Sequence, residues 1–452
     1  MIDMSANMKS IALMALATLI ATPNLVFALA QAPQPSAKRQ LNLSGFLEEV
    51  LKTNIDLAAK KFDITSAEAQ IAIERLFPDP EIAAGISSKE MNGPNKPENP
   101  TQYMAELSWT LELGGKRAAR TGAAKSAAVK AKAEFEAFLE ETRAVAAAAF
   151  IDALRARRIA DEKRKIHQGF KDILRMNEIR HSAGDIGGAE LAQSRMEARK
   201  FEGELIQAET DVQLADLAMQ QLLGPDAQPF SPAGSLEFSA GAVSHEDVMS
   251  AAASRRPEIQ VARQGLELAN SEAKLAKANR WTDIGLSVGL NHTPAVRPYG
   301  IDLDGNLFPA PTLMSNSISA TLSIPIPFSR RQKGELVQAE AARSQARLEL
   351  SSMELKTRAE AQAALAQHDA SLRLLNTFKE SILEDADKVL EASRFSYQKG
   401  HIPLMEYVMA SQSCAEAYLS YIDAQADYAK ALLTLDRVTG GNNYLMGAQA
   451  GK

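Results

Sequence analysis

Few residues in this 452-residue chain have types suited to bond-making chemistry, and their spacing does not bring them together. The six histidines, at 167, 181, 245, 292, 368 and 401, show no HxxxH or comparable ligand pattern, and Cys414 is the single cysteine. A zinc site needs three or four converging N, S or O ligands, so no bound metal is expected. The sequence has no phosphate-cradling glycine loop, no nucleophile elbow and no convincing triad. No catalytic residue, enzymatic activity or cofactor is therefore expected. A lone thiol forms no internal disulfide. A formal charge of −6 without clustered positive charge argues against a nucleic-acid partner.

What the sequence does place with care is charge and backbone freedom. Gly114 and Gly115 are followed by Lys116, Arg117 and Arg120, and Arg330, Arg331 and Lys333 hold the matching place in the second half. Glycines let a chain swivel between elements. Basic residues beside a membrane can contact lipid phosphates, although a cation at a helix N-terminus opposes the dipole. Gly184 in "HSAGDIGGAELA" and Gly400 in "YQKGHIPLMEYV" each interrupt an otherwise helical stretch. Glycine suits the left-handed residue that ends a helix.

These positions correspond because the chain is a repeat. "DLAAKKFDITSAEAQIA" matches "EIQVARQGLELANSEAK" in pattern, and "LSWTLEL" matches "LSIPIPF". Gly184 falls on Gly400, Glu190 on Glu406 and Gly224 on Gly440. Residues 31–223 form the first repeat and 245–440 the second; 224–244, rich in Pro, Gly and Ser, reads as a linker, and 441–452 as a tail. Residues 1–30 read as a signal peptide: Lys9 precedes the apolar run 11–20, and "ALA" ends at Ala30. The run is shorter than the roughly 20 apolar residues a membrane helix needs.

Each half has the order short helix, strand, loop, strand, long helix, break, short helix. Strands are expected at 80–90, 103–113, 284–290 and 318–328. In 103–113, Tyr103, Ala105, Leu107, Trp109, Leu111 and Leu113 alternate with polar or smaller residues, which gives one apolar face. Strands of about 9–11 residues match a tilted bilayer crossing. "MNGPNKPENP" and the stretch 292–313 read as outer loops, and Trp109 and Trp281 as interface residues. Four strands cannot close a barrel, and an open edge in lipid costs several kcal/mol per unpaired group. Three chains sharing one barrel would supply twelve strands. Residues 115–183 and 330–398 contain no proline and would each span about 100 Å as helix. Short helices are expected at 44–77, 189–223, 245–279 and 404–438, with a kink at Pro257. Leu404, Val408, Ser411, Ala415, Leu419, Ile422, Ala426, Ala429 and Leu433 step by four and three, as do Leu375, Phe378, Ile382, Ala386 and Val389; this is a coiled-coil rhythm.

A duplicated chain with paired strands, Ala-rich hairpins and a signal peptide resembles the TolC family of outer-membrane efflux channels. "LELGGKRAAR", residues 111–120, is similar to the strand-to-helix junction of the CzcC-like heavy-metal branch, the outer-membrane components of cobalt–zinc–cadmium exporters. The resemblance implies a mainly α fold with a membrane β part: a homotrimer with a 12-stranded outer-membrane barrel, continuous with a long periplasmic helical barrel. Its implied partners are a periplasmic adaptor protein, an inner-membrane pump of the resistance–nodulation–division type and outer-membrane lipid. The implied activity is passive export of divalent metal cations.

The resemblance also implies site residues. The family has acidic residues six positions after each tip glycine, which here are Glu190 and Glu406, and three copies would ring a closed entrance with carboxylates. Tyr397 matches a tyrosine that helps hold the tip closed. The family's basic residue two positions after the glycine is replaced by Ile186 and Ile402, which leaves Asp185 and His401 as candidate substitutes. Gly184 and Gly400 become the tips where an adaptor docks. Two other functions fit less of the sequence: a channel for drugs or type I secretion, and a soluble periplasmic coiled-coil scaffold or adaptor.

Overall fold

The computed structural model describes residues 39–87, 102–225, 228, 230–238, 243–296, 299–301, 303–309, 313–326, 333–441 and 444–445. The expected signal peptide, the "MNGPNKPENP" loop, and Arg330 and Arg331 lie outside these. The described elements are β1 (Arg39–Leu41), α1 (Leu43–Thr53), α2 (Ile55–Glu74), β2 (Glu81–Ser87), β3 (Gln102–Leu111), α3 (Lys116–Ser182), α4 (Gly188–Leu223), β4 (Phe230–Pro232), α5 (His245–Arg255), α6 (Pro257–Ala278), β5 (Ile284–Val296), β6 (Tyr299–Ile301), β7 (Leu307–Pro309), β8 (Leu313–Ser323), α7 (Lys333–Thr377), α8 (Leu383–Gln398) and α9 (Leu404–Thr439). A π turn, Phe378–Ile382, joins α7 to α8.

The four long strands form one open antiparallel sheet in the order β2-β3-β5-β8, so the two halves meet at β3 and β5. The register carries the alternation across the sheet. Ile82, Leu107, Val288 and Ala320 lie in one row, and Ala84, Ala105, Leu290 and Ile318 in another. Trp109, Leu286 and Leu322 share a third. The opposite face is made mostly of small or polar residues, as in the row Glu81, Ser108, Ser287 and Thr321, with Met104 as its large apolar exception. Two expectations are corrected. The stretch 292–313 is not only loop: β5 continues to Val296, and β6 pairs with β7. The last strand starts at Leu313 and stops at Ser323, short of the expected 328. Pro325 lacks the N–H that continued pairing would need.

Helix α3 spans both levels of the helical part. Its first half packs on α2 and α6, where Ser126 Oγ meets Ser271 Oγ at 2.8 Å. Its second half packs on α4 and α9, with Lys163 paired to Glu204 at 3.7 Å and Arg155 to Asp423 at 2.7 Å. A short helix from each end of the repeat thus covers one long one. The α9 seam is as expected: Leu404, Val408, Ser411, Ala415, Ile422, Ala426 and Ala429 are buried. The second seam is corrected at Val389, which is exposed, while Leu390 is partly buried. The π turn adds a residue to the helical repeat, so the seam slips by one.

The 44–77 segment is also not one helix. Asn54 takes an extended conformation, ending α1 and opening α2. Its Oδ1 accepts from Leu57 N and its Nδ2 donates to Leu222 O, both at 2.9 Å. The second repeat breaks at Arg256, just before Pro257 as expected. Buried Arg256 bonds to Glu258 at 3.0 Å and pairs with Glu360. Each returning helix ends against its break. A Cβ on Gly224 would lie 3.1 Å from Thr53 O, and one on Gly440 2.8 Å from Arg255 O. The segment read as a linker packs here too: β4 pairs with β1, and Phe230, Leu236 and Phe238 are buried beside Phe46 and Phe150.

Asn54→Ala should lower stability by about 1–2 kcal/mol, because it removes a cap and leaves the Leu222 carbonyl unpaired. The heat-unfolding midpoint of the helical circular dichroism signal measures this; an unchanged midpoint would contradict the role given to Asn54.

Candidate functional site

The two hairpin tips share one turn. Gly184 and Gly400 have φ of +84° and +75°. Gly184 N donates to His181 O at 3.0 Å and Asp185 N to Arg180 O at 2.8 Å. Gly400 N likewise donates to Tyr397 O at 3.0 Å and His401 N to Ser396 O at 2.8 Å. This paired pattern satisfies the last carbonyls of a helix and requires a left-handed residue, which is why glycine stands there. A Cβ at Gly184 would meet nothing within 4 Å, so the backbone angle rather than space sets the requirement.

Behind the tips, α3, α4, α8 and α9 share an aromatic cluster. Phe170 stacks on Phe201 with centroids 4.2 Å apart, and Tyr397 on Tyr407 at 5.5 Å. Ile186 is buried and Ile402 packs against the cluster, so both isoleucines are used in packing. Tyr397 is 1% exposed. Its hydroxyl lies 2.8 Å from Asn177 Oδ1 and 3.1 Å from Glu190 Oε1. Asn177 Nδ2 donates to Ser194 Oγ at 2.6 Å, and Ser194 Oγ donates to Glu190 O at 3.0 Å. Burial pushes the Tyr397 phenol up to about 12, and the Glu190 carboxylate pushes the same way. The Arg180 guanidinium lies 5.7 Å from the Tyr397 ring centre, with its Nη1 buried and without a hydrogen-bond partner.

The structure therefore brings Tyr397 and Glu190 together across the two repeats. It does not bring Glu406 or Asp185 into that network; both side chains are exposed. The repeat is also unequal here. His181 occupies the place matching Tyr397, and its Nδ1 lies 3.0 Å from Ile186 O within its own turn. His401 is exposed. Asn177, Ser194 and Arg180 were missed from sequence. A usable signal was present: Asn177 and Ser194, like Phe170 and Phe201, are equidistant from the midpoint of the first turn, so hairpin closure must oppose them.

The strand-to-helix junction is a second constellation. Gly114 has φ +69°, and a Cβ there would lie 2.4 Å from Trp281 Cδ1. Gly115, also left-handed, opens α3. Lys116 Nζ pairs with Asp283 at 2.8 Å and is only 11% exposed. The Arg117 guanidinium lies 3.7 Å from the Phe77 ring centre. Arg120 bonds to Glu74 at 3.0 Å, to Leu76 O at 3.3 Å and to Glu112. Much of the positive charge expected at lipid phosphates is thus tied to the chain's own carboxylates and aromatic ring. Among the described residues no group of three His, Cys, Asp or Glu is placed to hold a metal ion, and no helix is long and apolar enough to cross a membrane.

Comparison with known proteins bears on this geometry. The family described as outer membrane efflux protein matches residues 46–225 and 248–441. The cobalt-zinc-cadmium resistance protein CzcC of Cupriavidus metallidurans is 23% identical over 405 residues, covering 88% of this chain and 90% of that protein. The crystal structure of CusC superposes with a TM-score of 0.71 at 19% identity, covering 88% of this chain and 92% of the other. The CmeC outer membrane channel of Campylobacter jejuni gives 0.70 at 18% identity, covering 97% and 95%.

Tyr397→Phe should cost about 1–2 kcal/mol by leaving Asn177 Oδ1 short of a donor. The pH dependence has a definite sign. The folded state holds the phenol proton to about pH 12, whereas an unfolded tyrosine releases it near pH 10. The stabilisation from Tyr397 is therefore complete below pH 10 and is lost as pH rises toward 12. Melting temperatures measured from pH 8 to 12 should fall less steeply in Tyr397→Phe than in the wild type. Parallel curves would contradict the assignment.

Proposed function

The chain belongs to the outer membrane efflux protein family, and on that premise we propose that it is the outer-membrane duct of an exporter of divalent heavy-metal cations. Proteins of this family are passive channels, not enzymes. This one is an outer-membrane channel subunit with a periplasmic helical extension, and it works as a trimer with an adaptor and an inner-membrane pump. The observation that carries the reading is the open sheet. Its apolar rows include Ile82, Leu290, Ile318 and Leu322, all exposed in the single chain, and its edge strands β2 and β8 have no partner among the described residues. Lipid tolerates such a face only when every edge is paired. Three copies supply twelve strands and close it.

The helical layer supports the same assembly. α2 and α7 are its outermost members and expose Phe62, Leu348 and Leu355. A neighbouring copy's α7 laid on α2 buries both sets. The cargo assignment rests on "LELGGKRAAR" and on the cobalt-zinc-cadmium resistance relative. A pump of the resistance–nodulation–division type fits that cargo. We assign Glu406 and Asp185, exposed beside the tips, to the carboxylate ring of the periplasmic entrance, and Glu190 with Tyr397 to the latch that holds the hairpins together. Gly184 and Gly400 mark the surface an adaptor grips. Arg117 and Trp281, beside Gly114, lie nearest the lipid headgroups; Arg330 and Arg331 are assigned to the matching belt of the second repeat. The two repeats, 31–223 and 245–440, act as the unit duplicated around the trimer.

Deletion of the gene should lower tolerance to at least one of zinc, cadmium, cobalt and nickel, and restoring the full chain should recover it. Unchanged tolerance to all four, with lost tolerance to a drug, would remove the metal assignment.

A further inference from the structure

One ionisable side chain stands in the middle of the sheet's polar face. The row through it is Ala83, Glu106, Gly289 and Ser319. Its neighbours on both sides are thus too small to cover the carboxylate or bond to it. Ser319 Oγ turns instead to Gly289 O at 3.4 Å. Two residues along, the next such row holds Glu81, Ser108, Ser287 and Thr321. Among the described residues this face has no Lys, Arg or His in the strands. The nearby carboxylates Glu112 and Asp283 are already paired, with Arg120 and Lys116. Glu106 and Glu81 have no such partner among the described ion pairs.

We infer that Glu106, repeated in each subunit, makes the bore of the barrel itself cation-selective, independently of any charge at the hairpin tips. The inference rests on the duct reading, which turns this face toward water. Twelve strands about 4.8 Å apart and tilted about 40° give a backbone radius on the order of 12 Å. A glutamate reaching inward leaves its carboxylate roughly 7 Å from the axis, close to the Debye length of about 8 Å at 0.15 M ionic strength. The field therefore reaches the axis in ordinary salt, is stronger in dilute salt and disappears near 1 M, where the Debye length is about 3 Å. It acts on the sign of a passing ion and does not chelate, so cargo is attracted without being retained.

The test places a reporter thiol in the same row. Ser319→Cys in the full-length channel lies two strands from Glu106, about 10 Å away. Native Cys414 is buried, so its background reaction is low. Cationic and anionic methanethiosulfonates enter from the extracellular side, so the state of the periplasmic entrance does not matter. The cationic reagent should react faster. Adding Glu106→Gln should cut the cation-to-anion rate ratio about twofold at 0.15 M ionic strength and roughly fivefold at 0.01 M, with no effect at 1 M. A ratio that Glu106→Gln leaves unchanged at 0.01 M overturns the inference while leaving the duct intact. A thiol that neither water-borne reagent reaches, while one at Leu290→Cys on the other face is reached, overturns the duct reading itself.

Discussion

The outer backbone groups of β2 and β8 find no partner among the described residues of their own chain, and hydrocarbon offers none. The rest of the architecture follows from this. A sheet of four strands is too narrow to curl on itself, so its edges must be met by copies. Once three copies share a ring, the helices that follow each strand pair are set in a ring as well. They then pack side by side as a continuation of the wall. Gly114 and Gly115 sit at the change from tilted strand to upright helix, and Trp281 packs so close to Gly114 that no other side chain fits. Lys116 and Arg120 there are held by Asp283, Glu74 and Glu112, which ties the start of α3 to the strands and to α2.

A second constraint comes from duplication. Each long helix needs a cover along its whole length, and each repeat supplies it from both of its ends. The join between those covers is a helix break in both halves, but the chemistry differs. The first uses the amide of Asn54; the second uses the guanidinium of Arg256 against two carboxylates. At the tips the backbone turn is duplicated faithfully while the side-chain network is not. Only the second hairpin supplies a buried tyrosine, and it reaches back to Asn177 and Glu190 of the first. The halves are therefore locked to one another at the point where they are least alike.

Much of this was legible from residue patterns. Period-two alternation located all four strands, because a sheet with one apolar face must alternate. The long proline-free stretches gave α3 and most of α7 and α8, and the glycines gave the turns. What escaped was local or long-range. Asn54 was passed over because asparagine breaks a helix only when its amide has something to bond, and Leu222 O lies far along the chain. The π turn left no mark beyond a seam position, Val389, that turned to solvent. At the tip, Tyr397 and Glu190 were marked by the family resemblance, which places such residues at these distances from the glycines. Arg180 was not, since its place over the Tyr397 ring depends on how two hairpins lean together.

The π turn in the second hairpin has a consequence for whatever grips the far end of the stalk. A perfectly duplicated chain would give a trimer six equal hairpins, and a partner could bind in any of six orientations. Phe378–Ile382 changes the winding of one hairpin in each chain, and α3 runs through as one uninterrupted helix in the other. The grooves around the circumference then alternate between two kinds. A partner that grips this end therefore meets two kinds of groove and must seat on each in a different way.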